Sequence, residues 1–388
     1  EAGHGANATQ LSLASEFLSI NEISSVCAED INEDGLISVG DILMVLSDFG
    51  CAFSCGNADI NLDGIVSVID ILAILSAFGN LCDNNIGIPV VYYESTFSVT
   101  VEEGILYAEG LSHASLNSSS STVMPLLLDA YLPDDNTENH PAMVLIHGGG
   151  FVGGSRQQVS LVNMANYYAS RGWVVFSIDY RLLGDLGTVP EQWVDSINAI
   201  SPEIGSIGQG MAIYPAHRDA KAALRWVVAH AEIYNINPDY ITVGGGSAGA
   251  ITSIGIGVSE PGDYRDELGL DDDPTLFTTH LEVEFEVRTV LDFWGSKISI
   301  DALAFVYGLQ RFDAEDPSLF IAHGTGDPTV LYSNAIELQS VYEMTGVPYM
   351  LYPLEGFGHG AWSATVEGET LHELSFQFII DQQNLTVE

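Results

Sequence analysis

Positive charge is what this 388-residue chain has least of: Lys and Arg number 10 against 53 Asp and Glu, and none of the ten precedes Arg156. Such a polyanion repels nucleic acid and anionic membranes, which argues against both as partners. Part of the acid load can bind cations, and the rest keeps a surface hydrated where ionic strength is high, so a marine or saline bacterial source is expected. Cysteine is scarce as well: Cys27, Cys51, Cys55 and Cys82 are the only four, confined to one short stretch. That clustering in a small module points to disulfides and an oxidising, extracellular compartment. The spacing does not suit paired C-x-x-C zinc knuckles, and no histidine is near. No apolar run is long enough to cross a bilayer. No export signal is visible at Glu1, as expected of a mature secreted form. The hydrophobic content of 47% is ample for a large core, and the length suits two domains.

An internal repeat opens the chain. Residues 30–50, DINEDGLISVGDILMVLSDFG, recur at 59–79 as DINLDGIVSVIDILAILSAFG. Each copy offers oxygen ligands at loop positions 1, 3, 5 and 12, a carbonyl at 7, and Gly at 6 for the sharp turn, as a hard Ca²⁺ ion requires. The ligand sets are Asp30, Asn32, Asp34, Leu36 and Asp41, then Asp59, Asn61, Asp63, Ile65 and Asp70. Asx-rich turns without metal are the alternative. A short apolar helix is expected after each loop (42–49 and 71–78). Of the three possible cysteine pairings, Cys27–Cys51 with Cys55–Cys82 brackets one repeat per bridge. The duplicated loop–helix pattern, with Asp rather than Glu twelfth, resembles a type I dockerin. That resemblance implies two structural calcium ions. In dockerins a polar pair at positions 10 and 11 commonly contacts the cohesin partner. Here those positions hold Val39–Gly40 and Val68–Ile69, so packing against the rest of the chain, or docking to an unusual cohesin-like partner, is expected. The module is placed at 1–83 and a catalytic domain at 84–388.

From Ala142 onward, short apolar runs (143–146, 174–178, 241–243, 289–293, 319–322) alternate with amphipathic stretches, the clearest at 216–234. Strand-like segments also fall at 90–101 and 126–132. Alternating strand and helix predicts a doubly wound α/β domain with a mostly parallel sheet. Gly245-Gly246-Ser247-Ala248-Gly249 directly follows the run at 241–243. A G-x-S-x-G in that context is a nucleophile elbow, its glycines letting backbone approach the serine closely. His147-Gly148-Gly149-Gly150-Phe151 follows another strand. Its glycine amides suit an oxyanion hole made from Gly149, Gly150 and Ala248. The order Ser…Asp…His then selects Asp327, in a loop after a strand, and His359, in the Gly-rich loop GFGHG, with Asp292 as rival acid. His147, His217, His230, His280 and His323 are expected to be structural or solvated.

HGGGF, SIDYR, GGGSAG, HGTGDPTV and GFGHG resemble the carboxylesterase and lipase branch of α/β-hydrolases, near the hormone-sensitive-lipase-like and feruloyl-esterase-like groups. The resemblance covers residues 90–380. It implies the α/β-hydrolase fold and hydrolysis of short-chain, aryl or polymer-linked esters through an acyl-serine, without a catalytic cofactor. Acetyl or feruloyl esters of polysaccharides and polyesters are candidate substrates. A serine peptidase and a silent calcium-dependent scaffold are the alternatives. Gly246 departs from the Asp or Glu found there in many relatives. Two long insertions, 182–215 and 259–286, are candidates for lids or pocket walls, and Trp294 for a pocket lining.

Overall fold

The computed structural model describes residues 29, 31–32, 37–51, 58–61, 64–78, 87–135, 137–199 and 207–388. The chain divides into two compact units, Glu1–Gly87 and Ile88–Glu388.

In the first unit, helices α1 (Val39–Ser47) and α2 (Val68–Ala77) begin three residues earlier than the apolar runs suggest. A capping box explains the difference. Ser38 and Ser67 accept a hydrogen bond from the helix backbone, while Asp41 and Asp70 accept from the cap's own N–H. Ile31, Ile37, Val45, Ala58, Val66 and Ile74 form a small core. Cys51 is disulfide-bonded; Cys27, Cys55 and Cys82 lie outside the described residues, as do Asp30, Asp34, Leu36 and Asp63.

The second unit runs β1 (Val90–Val91), β2 (Val99–His113), β3 (Ser121–Pro133), β4 (His140–Ile146), α3 (Val159–Ala169), β5 (Val174–Ile178), α4 (Glu191–Ala199), α5 (Ile207–Ala229), β6 (Ile236–Gly246), α6 (Ala248–Val258) and β7 (Thr289–Phe293). It continues with α7 (Ile298–Tyr307), β8 (Ser318–Gly324), α8 (Ser333–Thr345), β9 (Tyr349–Leu354), β10 (Thr365–Val366), β11 (Glu369–Thr370), α9 (Leu371–Gln383) and β12 (Thr386–Val387). Eight strands form one sheet in the order β2-β3-β5-β4-β6-β7-β8-β9. The β2–β3 and β3–β5 pairs are antiparallel, and every later pair is parallel.

The apolar runs of β4, β5, β7 and β8 are fully buried because both faces of the sheet are covered. Along β4, Ala142, Val144 and Ile146 enter the core shared with α5 and α6. Met143 and Leu145 enter the opposite core, shared with α3 and α9. The chain leaves β4 for β5 on one side and returns to β6 on the other. This reversal opens a crevice at the carboxyl ends of β4 and β6, where ligands bind in such sheets.

Two elements differ from the sequence reading. The segment 90–101 is not one strand: β1 pairs in parallel with β12, and the chain turns before β2. Amides of Thr96 and Phe97 there bond to the Ser170 carbonyl. The helix expected at 216–234 is α5, beginning at Ile207 and running through Pro215. A proline inside a helix costs a hydrogen bond and a steric clash. Burial of Met211, Ala212, Tyr214 and Ala216 around it outweighs that local preference.

The few cations are committed internally. Arg156 pairs with Asp129 and Asp179, Arg181 with Asp219, Arg218 with Asp273, Arg311 with Asp263, Arg265 with Asp266, and Lys297 with Asp301. Buried Lys221 donates to the carbonyls of Glu260 and Asp263, and Arg225 to that of Thr279. Arg171 and Arg288 lie over the rings of Tyr167 and Tyr240. Several of these bonds fasten the insertion 259–286 to α5, so the acidic loop is a strap held by buried charge.

Candidate active site

Ser247 sits between β6 and α6 with φ 58° and ψ −120°, a region that non-glycine residues avoid. Its amide donates to the Phe293 carbonyl at 2.9 Å. The tightness of the turn explains the flanking glycine: a Cβ on Gly249 would collide with the Ile146 carbonyl oxygen. The strained turn thereby presents the serine hydroxyl at the crevice.

His359, in the loop after β9, lies within reach of that hydroxyl. The Ser247 Oγ–His359 Nε2 distance is 2.9 Å, and His359 Nδ1 lies 2.8 Å from Asp327 Oδ2. Asp327 follows β8, is buried, and accepts at Oδ1 from the amides of Thr329 and Val330 at 2.8 and 3.1 Å. Those two amides keep the carboxylate pointed at the imidazole. The rival acid Asp292 makes no such link. It is fully buried, accepts from the Gly295 amide at 2.6 Å, and is pushed up to about 7 by that burial.

Gly149 and Gly150 follow β4 with φ of 124° and 61°. Among the described residues none accepts a backbone hydrogen bond from Gly149, Gly150 or Ala248, so three amides are available beside Ser247. Two contacts hold this loop. The Tyr180 hydroxyl donates to the His147 carbonyl at 2.9 Å while its ring stacks on the imidazole at 4.2 Å. The Gln209 amide donates to the Gly150 carbonyl at 2.8 Å. The other histidines are engaged elsewhere. Burial lowers His147, His323 and His280 and takes His217 to about 4. His217, His230 and His323 each lie against a backbone carbonyl.

A cavity of about 390 Å³ opens beside Ser247 and Ala248, lined chiefly by apolar side chains of α4 to α7 and by Phe151 and Val330. From the insertion 182–215, Ile197, Ile207, Gln209, Gly210 and Ile213 line it, whereas its Trp193 is buried against Tyr214, Tyr264 and Tyr307. The insertion 259–286 contributes no residue to the lining.

Trp294 does not line the cavity either. It is 2% exposed and packs edge-on to the His359 ring at 6.4 Å and to Trp362 at 4.7 Å. Sequence reasoning missed Trp362, and Gly246 carries the signal for it. A Cβ on Gly246 would stand 2.9 Å from Trp362 and 3.3 Å from Trp294. Trp362 thus fills the volume that a side chain before the nucleophile would occupy. Gly246→Asp is therefore expected to displace Trp362 and lower kcat at least about tenfold, because small misplacements of reacting groups are costly. Trp362→Ala in the same chain should return part of the loss. Equal kcat on a p-nitrophenyl ester for the single and double variants would mean that the two positions do not share that volume.

In the first unit, the carboxylates of Asp41 and Asp70 turn back to accept from the amides of residues 31 and 32, and of 60 and 61. Burial works to raise both groups, but these bonds and those from Ser38 and Ser67 leave them below their ordinary value. The Asp59 carboxylate accepts from the Gly64 amide at 2.8 Å. Position 12 therefore folds back on positions 2 and 3 in both copies. Asn32, Asn61 and Ile65 are described; their partners in a ligand set are in part outside the described residues.

A BD-FAE family model matches residues 128–201 and 208–305, less than half of the chain. Carboxylesterase 1C of Rattus norvegicus is 31% identical over 161 residues, 40% of this chain and 26% of that protein. Para-nitrobenzyl esterase of Bacillus subtilis is 31% identical over 128 residues, 33% of this chain and 23% of that protein. Esterase LipC of Mycobacterium tuberculosis is 24% identical over 272 residues, 64% of this chain and 60% of that protein. The chain thus spans less than two thirds of the length of these relatives. Among solved structures, Thermogutta terrifontis esterase 2 phosphorylated by paraoxon superposes with a TM-score of 0.51 at 23% identity, over 72% of this chain and 94% of that one. With the sheet order, that likeness shows the second unit to have the α/β-hydrolase fold.

Proposed function

We propose that this protein is a serine carboxylic ester hydrolase that works through an acyl-serine. The observation that carries this reading is the hydrogen-bonded chain Ser247–His359–Asp327, with three unengaged amides beside the serine. His359 Nε2 takes the hydroxyl proton as Ser247 Oγ attacks the ester carbonyl. Asp327 fixes the imidazole tautomer and stabilises its cation. The amides of Gly149, Gly150 and Ala248 receive the developing oxyanion. Collapse expels the alcohol, which takes its proton from His359. Water, activated by the same imidazole, then releases the acid. The apolar cavity supports short-chain, aryl or polymer-linked esters, including acetyl or feruloyl groups on polysaccharides and polyesters. The test is hydrolysis of p-nitrophenyl esters from acetate to octanoate, with the acyl adduct located on Ser247 by mass spectrometry after acid quench. Turnover without an adduct at Ser247 would reject the mechanism, and cleavage of peptides alone would move the protein to another reaction class.

We infer further that the first unit is a dockerin-like module holding two structural calcium ions. The oxygen-rich donor set of each loop and its repetition support this. Calorimetric titration of the intact chain should give two ions per chain, and no calcium binding would remove the assignment. The bonded Cys51 and the acid excess support secretion into a saline setting. A melting temperature that falls as salt rises toward about 1 M, where charge repulsion is screened, would count against that setting.

A further inference from the structure

We propose that the cavity beside Ser247 selects uncharged acyl groups, and that Asp301 is the residue that closes it to carboxylates. This rests on the ester-hydrolase reading and adds a substrate class to it.

All ten Lys and Arg lie among the described residues, and none of them lines the cavity. The stretch 200–206, outside the described residues, contains no Lys or Arg either. A carboxylate drawn to the buried end, against Phe151, Ile197, Ile213 and Ile251, would therefore leave water with no cation to meet it. Burying a charge in that way is expensive unless a partner compensates it.

The cation next to the cavity wall in the sequence is Lys297, one residue before the cavity residue Ile298. Its ammonium is held by both oxygens of Asp301 at 2.8 Å and by Glu337 at 3.5 Å. Asp301 is the sole charged side chain among the described lining residues. Its carboxylate, about half exposed, is paired with Lys297 and so occupies the cation that stands next to the cavity wall in the sequence. A neutral chain meets Phe151, Ile213, Ile251 and Phe305 without any such conflict.

The experiment compares kcat/KM for a size-matched pair, p-nitrophenyl 4-oxopentanoate and p-nitrophenyl hemisuccinate, at low and high salt. The wild type should favour the neutral ester at least about a hundredfold, and the preference should persist near 1 M NaCl, where long-range repulsion is screened. Asp301→Asn should narrow the ratio about tenfold by releasing Lys297, and adding Lys297→Gln should widen it again. A wild-type ratio near one overturns the proposal. A ratio that collapses in salt overturns it too, because overall charge would then be the cause. An unchanged ratio in Asp301→Asn removes that residue from the role. If neither ester is cleaved while the protein remains folded, the hydrolase reading fails first and this inference falls with it.

Discussion

Ser247→Ala is expected to lower kcat on p-nitrophenyl butyrate by about ten-thousand-fold to a million-fold, with a much smaller change in KM. The expectation comes from the geometry at the elbow. The hydroxyl is the one group of the site 2.9 Å from His359 Nε2, and the bond it forms to substrate cannot be replaced by a methyl group. The amides of Gly149, Gly150 and Ala248 remain in the variant and still polarise a bound carbonyl. A residual rate roughly a thousandfold above that in water would therefore survive. The strained φ of 58° makes a control necessary, because alanine tolerates that region no better than serine. An unchanged melting temperature would assign the loss to chemistry. A kcat within tenfold of wild type would show that Ser247 is not the nucleophile.

The largest expected effect on stability belongs to Asp273→Ala. Asp273 is fully buried in the strap 259–286. Its Oδ2 accepts from Arg218 Nη1 and Thr188 Oγ1, each at 3.0 Å, with Arg181 Nη1 at 3.7 Å, and its Oδ1 accepts from the amide and hydroxyl of Thr275. Burial alone would raise this carboxyl; Arg218, Thr275, Arg181 and Thr188 reverse the direction and hold it ionised. Arg181 keeps Asp219 when Asp273 is lost, but Arg218 is left inside the protein, with its Nε already lacking a partner. Stranding a buried charge costs about 3–5 kcal/mol. In a domain of this size that corresponds to a drop of roughly 5–8 °C in melting temperature. Asp273→Asn, which keeps the shape and some hydrogen bonds, should lose less. A shift below about 2 °C for the alanine variant would show that the strap is not held by this network.

The parts of the molecule legible in the sequence are those whose chemistry is local. HGGGF and GGSAG carry their own backbone requirements, and each stands directly behind a run of buried strand residues. Chain order admits both Asp292 and Asp327, since each lies between Ser247 and His359, and the loop position of Asp327 beyond its strand is what favours it. The parts that escaped depend on partners far along the chain. Trp362 answers an absence at Gly246, and an absent side chain announces no partner. Pro215 reads as a helix breaker until its neighbours are known to be buried. The strap at 259–286 reads as a lid or pocket wall, because the arginines that take its carboxylates lie elsewhere in the sequence. Tyr180 and Gln209 steady the oxyanion loop from positions with no pattern of their own.

The placement of the cations also decides how this protein behaves at the bench. Trypsin cuts after Lys or Arg, so a complete digest of the unfolded chain leaves residues 1–156 as a single fragment. That fragment carries every cysteine and both repeats, and is too long for ordinary peptide mapping. Reading the disulfide pattern calls for a protease that cuts at acidic residues. Amine-directed labelling is restricted in the same way: of the two lysines, Lys221 is 1% exposed and Lys297 is held between carboxylates. A dye or surface coupled through lysine would attach at Lys297, the partner of the cavity residue Asp301.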